Sequence, residues 1–145
     1  EKIKPDIIIN AAAYTDVDKA ESEIELAHKV NAEAPKVLAE KASQLNIPII
    51  HFSTDYVFDG QSVVPYPEQV ATNPIGIYGK SKLQGEILLS KSSCKNVTIR
   101  TSWLFSPFGK NFVKTIARIA KEKSALKVVD DQWGRPTYDC CLLCP

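Results

Sequence analysis

The 145 residues carry 18 Lys and Arg against 17 Asp and Glu, a net charge of +1, with 44% hydrophobic and 24% charged residues. That is enough chain for a domain with a real core. The near-zero charge offers no electrostatic case for nucleic acid or an anionic membrane, and no apolar run approaches the roughly 18 residues that span a bilayer.

Ile7-Ile8-Ile9 follows Pro5-Asp6 and reads as a short buried strand ending at Asn10. Asp18 to Asn46 reads as helical, because Ile24, Ala27, Val30, Ala34, Val37, Leu38, Ala42 and Leu45 keep three- and four-residue spacing. Pro35 should break that helix and restart it from an Asn31 cap. Residues 47–53 form the next strand, and 54–73 a loop rich in turn signals, including Asp59-Gly60, Pro65 and Pro67. Pro74 to about Lys91 reads as a helix with Leu83, Ile87 and Leu88 inward. Asn96 to Thr101 is a strand, and Asn111 to Glu122 a helix with Phe112, Val113, Ile116 and Ile119 inward. Leu126 to Val129 is a further strand.

Strand alternating with helix predicts an α/β fold, a parallel sheet covered on both faces. Its strand C-termini then share one edge, where ligands bind. Asn10, Thr54 and Thr101 should line that crevice.

Tyr78-Gly-Lys-Ser-Lys82 sits on the helix expected after this loop, so Tyr78 and Lys82 share a face. Bringing a free tyrosine from about 10 to about 7 takes roughly 4 kcal/mol. A positive charge about 4 Å away supplies that much at an effective dielectric near 20. Lys82 is therefore expected to poise Tyr78 as a general acid, with Thr54 orienting the same carbonyl oxygen.

Tyr-x-x-x-Lys alone is a weak signal, but its context is specific. Asn10-Ala-Ala-Ala-Tyr-Thr-Asp-Val-Asp18, Ser53-Thr-Asp-Tyr-Val-Phe-Asp-Gly60, Tyr78-Gly-Lys-Ser-Lys82, Arg100-Thr-Ser-Trp103 and Val128-Val-Asp-Asp-Gln-Trp-Gly-Arg-Pro-Thr137 follow in order. This series resembles the extended short-chain dehydrogenases/reductases, and within them the dTDP-4-dehydrorhamnose reductase family. The resemblance implies a doubly wound, Rossmann-like sheet of which the first βαβ portion is missing. It implies Thr54, Tyr78 and Lys82 as the catalytic set, with Tyr78 and Lys82 also meeting the cofactor, NADPH or NADH. Ala11, Ala12, Ala13, Tyr14 and Thr15 would let the backbone approach that cofactor. Thr54, Asp55, Tyr56 and Trp103 would contact a dTDP-sugar whose C4 ketone is reduced. Related dehydratases carry Asp-Glu after the threonine; here Asp55 precedes Tyr56, which favours reduction.

The family's G-x-x-G-x-x-G turn does not occur in these residues, and Asp139 to Pro145 depart from its pattern. Residues 1–138 are thus expected to be the central part of a longer enzyme with the start of a substrate lobe, followed by an atypical tail. Alone, the polypeptide is expected to bind NADPH weakly and to be inactive. The alternative is a non-catalytic binding subunit similar to the regulatory β subunit of methionine adenosyltransferase. Composition and chemistry point to the cytoplasm, the resemblance leaves a homodimer open, and no metal site is expected.

Bland roles compete at other positions. His28 and His51 are expected to pack or to face solvent, and Lys114, Arg118 and Lys121 to form a solvated stripe. Asp16, Asp18, Glu21, Glu23 and Glu25 are expected to mark helix starts. Cys140, Cys141 and Cys144 are read as reduced thiols of the tail.

Overall fold

The apolar run at residues 7–9 does form a strand, β1 (Ile8–Asn10), and it pairs in parallel with β2 (Ile49–Thr54), Ile9 standing opposite Ile50. The computed structural model describes residues 3–140, which fall into two units, residues 1–100 and 101–145. The first unit holds a three-stranded sheet in the order β1-β2-β3, with β3 spanning Asn96–Thr101. The N–H of Ile49 donates to the Lys95 carbonyl at 2.9 Å.

Helices pack on the β2 face formed by Ile49, His51 and Ser53, all buried. Ala39, Ala42, Ile49, Leu89 and Cys94 make the core there. The expectation of a sheet covered on both faces is not met among the described residues. Ile50 and Phe52, which alternate with the buried set, are only half-buried, Ile9 is 55% exposed and Val97 56%.

The long helix expected over 18–46 is segmented. It comprises α1 (Val17–Ala20), α2 (Ile24–His28), a π-helical turn (Lys29–Glu33) and α3 (Ala34–Leu45). Pro35 does not break it, because it stands in the first turn of α3, where its missing N–H costs little. Asn31 is correspondingly not a cap; it lies inside the π turn, fully buried. The helix ends at Asn46, which adopts φ 52°.

The helix expected from Pro74 is α4 (Ile77–Ser90), beginning one turn later than the proline suggested. Two glycines let it approach its neighbours. A Cβ on Gly79 would stand 2.1 Å from the Tyr56 carbonyl oxygen, and one on Gly85 2.2 Å from that of Asn31.

The second unit contains β4 (Leu104–Phe105), α5 (Phe112–Glu122) and β5 (Thr137–Tyr138), with β4 and β5 parallel. Asn111 caps α5, accepting from the Lys114 N–H at 3.0 Å. The inward face expected of α5 is not buried here: Phe112 is 65% and Val113 55% exposed. Leu126 to Val129 is not a strand; β4 pairs with Thr137–Tyr138. No helix of the described residues is long and apolar enough to cross a membrane.

Candidate active site

β2 ends at Thr54, and its side chain starts the next element, a 3-10 turn over Asp55–Val57. The Tyr56 N–H donates to the Thr54 hydroxyl oxygen at 3.2 Å, and that hydroxyl donates to the Asp55 carboxylate at 3.1 Å. The phenol of Tyr78 lies near enough to the same hydroxyl to feel it electrostatically. Tyr56 meets Tyr78 edge to face, with ring centroids 5.5 Å apart. Thr54, Asp55, Tyr56 and Tyr78 thus converge at the C-terminal end of the central strand.

Lys82, one turn after Tyr78, points its ammonium at the Phe52 carbonyl of β2, at 2.7 Å. The lysine is 2% exposed, and burial lowers it to about 8, with the nearby Glu86 carboxylate pulling the other way. Burial also raises Tyr78 above its ordinary value. The Thr54 hydroxyl opposes this, and the charges of Asp55 and Tyr56 add to the rise. The expectation that Lys82 alone brings the phenol toward neutrality is therefore not met in the free protein. Desolvation wins, and the ammonium is spent on a backbone carbonyl. Burial likewise raises Asp55, against the pull of Thr54 and of backbone N–H groups, and burial leads the rise at Tyr56.

The loop from Ala11 to Thr15 leaves the end of β1 beside these groups. The Ala12 N–H donates to Asn10 Oδ1 at 3.2 Å. Asn31 holds Tyr14 at both backbone groups: Tyr14 N–H donates to Oδ1 at 2.8 Å, and Nδ2 donates to the Tyr14 carbonyl at 3.0 Å. Asn31 Nδ2 also donates to the Ser81 hydroxyl at 3.0 Å, which ties this loop to α4. Ala11, Ala12 and Thr15 are exposed, Ala13 and Tyr14 half-buried. The Tyr14 phenol donates to Glu23 at 2.7 Å, and burial together with that carboxylate pushes it up to about 12.

Asn10 and His51 are not crevice groups. Asn10 Nδ2 meets His51 Nδ1 at 3.0 Å inside the core, which bears out packing for His51. Trp103 belongs to the second unit, is 47% exposed and adopts φ 47°. Gly134 must be small there, because a Cβ would lie 2.7 Å from the Trp103 ring.

The acidic residues do mark helix starts, but not only their own. Asp16 caps α1, while Glu21 accepts from the Ile77 N–H at 2.7 Å and so caps α4 from far upstream. The Lys114 ammonium rests on the Pro107 carbonyl, and Arg118 pairs with Glu122 on an exposed face. Cys140 is exposed, and Cys141 and Cys144 lie outside the described residues.

Sequence reasoning missed the ties from Asn31 to Tyr14 and Ser81, the reach of Glu21 to α4, and the pair Glu86–Arg100. The one available signal was the glycine pair at 79 and 85, two poor helix formers inside a helical pattern.

The family model described as the RmlD substrate binding domain matches residues 1–142. A dTDP-4-dehydrorhamnose reductase of Salmonella typhimurium is 48% identical over 136 residues, 94% of this chain and 46% of that protein. One of Sinorhizobium fredii is 51% identical, over 92% of this chain and 45% of its own length. The structure of the Bacillus anthracis dTDP-4-dehydrorhamnose reductase in complex with NADP superposes with a TM-score of 0.94 at 44% identity, covering 97% of this chain and 50% of that one. The chain spans about half the length of the curated relatives it matches. It belongs to the RmlD substrate-binding domain family, with the Rossmann-like architecture of these reductases.

Proposed function

We propose that this chain carries the proton-donating half of an NADPH-dependent reductase acting on dTDP-4-dehydrorhamnose, with dTDP-L-rhamnose as product. The observation that carries the reading is the meeting of Thr54 and Tyr78 at the end of the central strand, one turn from a buried ammonium. The Tyr78 phenol can donate to a carbonyl oxygen there, and the Thr54 hydroxyl can join it by turning its one proton from Asp55 to that oxygen. Reduction consumes a proton at that oxygen, so it starts from a protonated phenol, the form that burial favours in Tyr78. As charge develops on the oxygen, Thr54 stabilises it and Tyr78 releases its proton to it.

The Ala11–Thr15 loop fits the nicotinamide end of such a cofactor. Its exposed side chains are small, and its backbone is pinned by Asn10 and Asn31. Lys82 adds a donor on the same helix as Tyr78. When bound, the cofactor supplies the hydride. The Bacillus anthracis relative is a complex with NADP, which favours NADPH over NADH. Asp55 and Tyr56 are assigned to the sugar because they lie beside Tyr78, and Trp103 to the nucleotide-sugar on the resemblance alone.

The test is Tyr78→Phe in a full-length reductase carrying this segment. Turnover is expected to fall at least about 100-fold with dTDP-sugar affinity retained. Unchanged turnover removes Tyr78 from the role.

A further inference from the structure

We propose that the ion pair between Glu86 and Arg100 sets the charge carried by Lys82, which makes both of them positioning residues of the site. The proposal rests on the reading of Lys82 given above, but its geometry stands apart from the reaction. Glu86 follows Lys82 by one turn of α4, on the same face. Both are buried, Lys82 at 2% and Glu86 at 8% exposure. Arg100, near the end of β3, grips the Glu86 carboxylate in a fork: Nε lies 3.1 Å from Oε1 and 3.2 Å from Oε2, and a terminal nitrogen lies 2.6 Å from Oε2. The guanidinium is itself seated over the Phe58 ring, 5.1 Å from its centroid, and Phe58 stacks on Tyr66 at 4.4 Å. The fork therefore anchors the carboxylate one turn along α4 from the lysine.

The other groups around Lys82 leave Glu86 as its anionic neighbour. From β2 come the Phe52 carbonyl and His51, which is neutral because burial and the Lys82 charge lower it to about 4. From β1 comes Asn10, which is occupied with His51. Asp55, in the 3-10 turn, acts on Tyr78 and Tyr56, and Glu21 is engaged at the first amide of α4. Burial disfavours the Lys82 ammonium and the Glu86 carboxylate favours it. Arg100, forked onto that carboxylate, is expected to temper the support, because its positive charge offsets part of the carboxylate's field. Burial thus lowers Lys82, and the pair governs how far the carboxylate offsets that fall.

The two partners of one ion pair must then push Lys82 in opposite directions, which a purely structural role does not predict. The experiment is an NMR titration of lysine side chains in the 145-residue chain, with Lys82 assigned by its absence in Lys82→Met. Glu86→Gln is expected to lower the Lys82 midpoint by about one pH unit, and Arg100→Gln to raise it by about half a unit. The double variant Glu86→Gln/Arg100→Gln replaces the pair by two neutral amides and guards against a fold lost to one unpaired charge. Its midpoint is expected below that of the parent by less than in Glu86→Gln alone. A Lys82 midpoint unmoved in Glu86→Gln, or single variants that move it the same way, overturns the proposal. Midpoints that move as stated, in a segment that supports no turnover when carried in a full-length reductase, sustain the proposal and count against the reductase reading instead.

Discussion

The proton of His51 can be placed from its neighbours. The Ala12 N–H fixes the Asn10 amide by taking Oδ1, so Nδ2 faces the ring and donates to Nδ1. The neutral ring then carries its hydrogen on Nε2, which is buried without a hydrogen-bond partner among the described residues. A second proton would put a hydrogen on Nδ1 against the Asn10 N–H and add charge beside Lys82. Burial and Lys82 accordingly lower the ring from 6.5 to about 4. Between those values the unfolded chain binds more protons than the folded one. Stability is thus full above about 6.5 and is lost as pH falls toward 4, by up to about 3 kcal/mol from this group. Urea unfolding of the parent and His51→Gln at pH 7 and pH 4.5 checks this: the acid loss should be smaller in the variant. An equal loss in both contradicts it. Asn10 and His51 were legible as a strand end and a core residue, but their bond was not, because it joins two strands across a parallel pairing.

Helix α4 shows what an element gains from residues that look unfavourable in it. Gly79 and Gly85 weaken an isolated helix by about 1 kcal/mol each relative to alanine, yet they let α4 seat on the Tyr56 and Asn31 carbonyls. Gly79→Ala is expected to cost about 3 kcal/mol in urea unfolding, since the clash is with backbone. Gly60→Ala, at φ 72° with open space around it, should cost only about 1 kcal/mol. Similar costs at both positions would contradict the close packing of α4. Apolar spacing located α4, α5, β2 and β3 to within a turn, because their periodicity is local. The π turn at Lys29–Glu33 was not legible: it exists to turn Asn31 toward Tyr14 and Ser81, contacts that lie 17 and 50 residues away in sequence. Leu126 to Val129 has strand composition, but strand propensity depends on the neighbours a segment finds, and these residues form no strand.

At the scale of the whole molecule, residues 1–100 bring Thr54, Tyr78, Lys82 and the Ala11–Thr15 loop to one end of a three-stranded sheet. The placement of Thr54 and Tyr78 was readable because a strand end and a helical spacing are both local patterns. The balance of charges around Lys82 was not, since it depends on burial and on Arg100 from another strand. The segment matches about half the length of full reductases, so its chemistry is best read in their context. The most direct measurement replaces the matching segment of the Salmonella typhimurium reductase with residues 3–138 of this chain. NADPH oxidation is then followed with dTDP-4-dehydrorhamnose as substrate. The account predicts turnover within about tenfold of the parent reductase, since the same hydroxyls and ammonium are supplied. A folded hybrid that binds NADPH and the dTDP-sugar but does not oxidise the cofactor contradicts it.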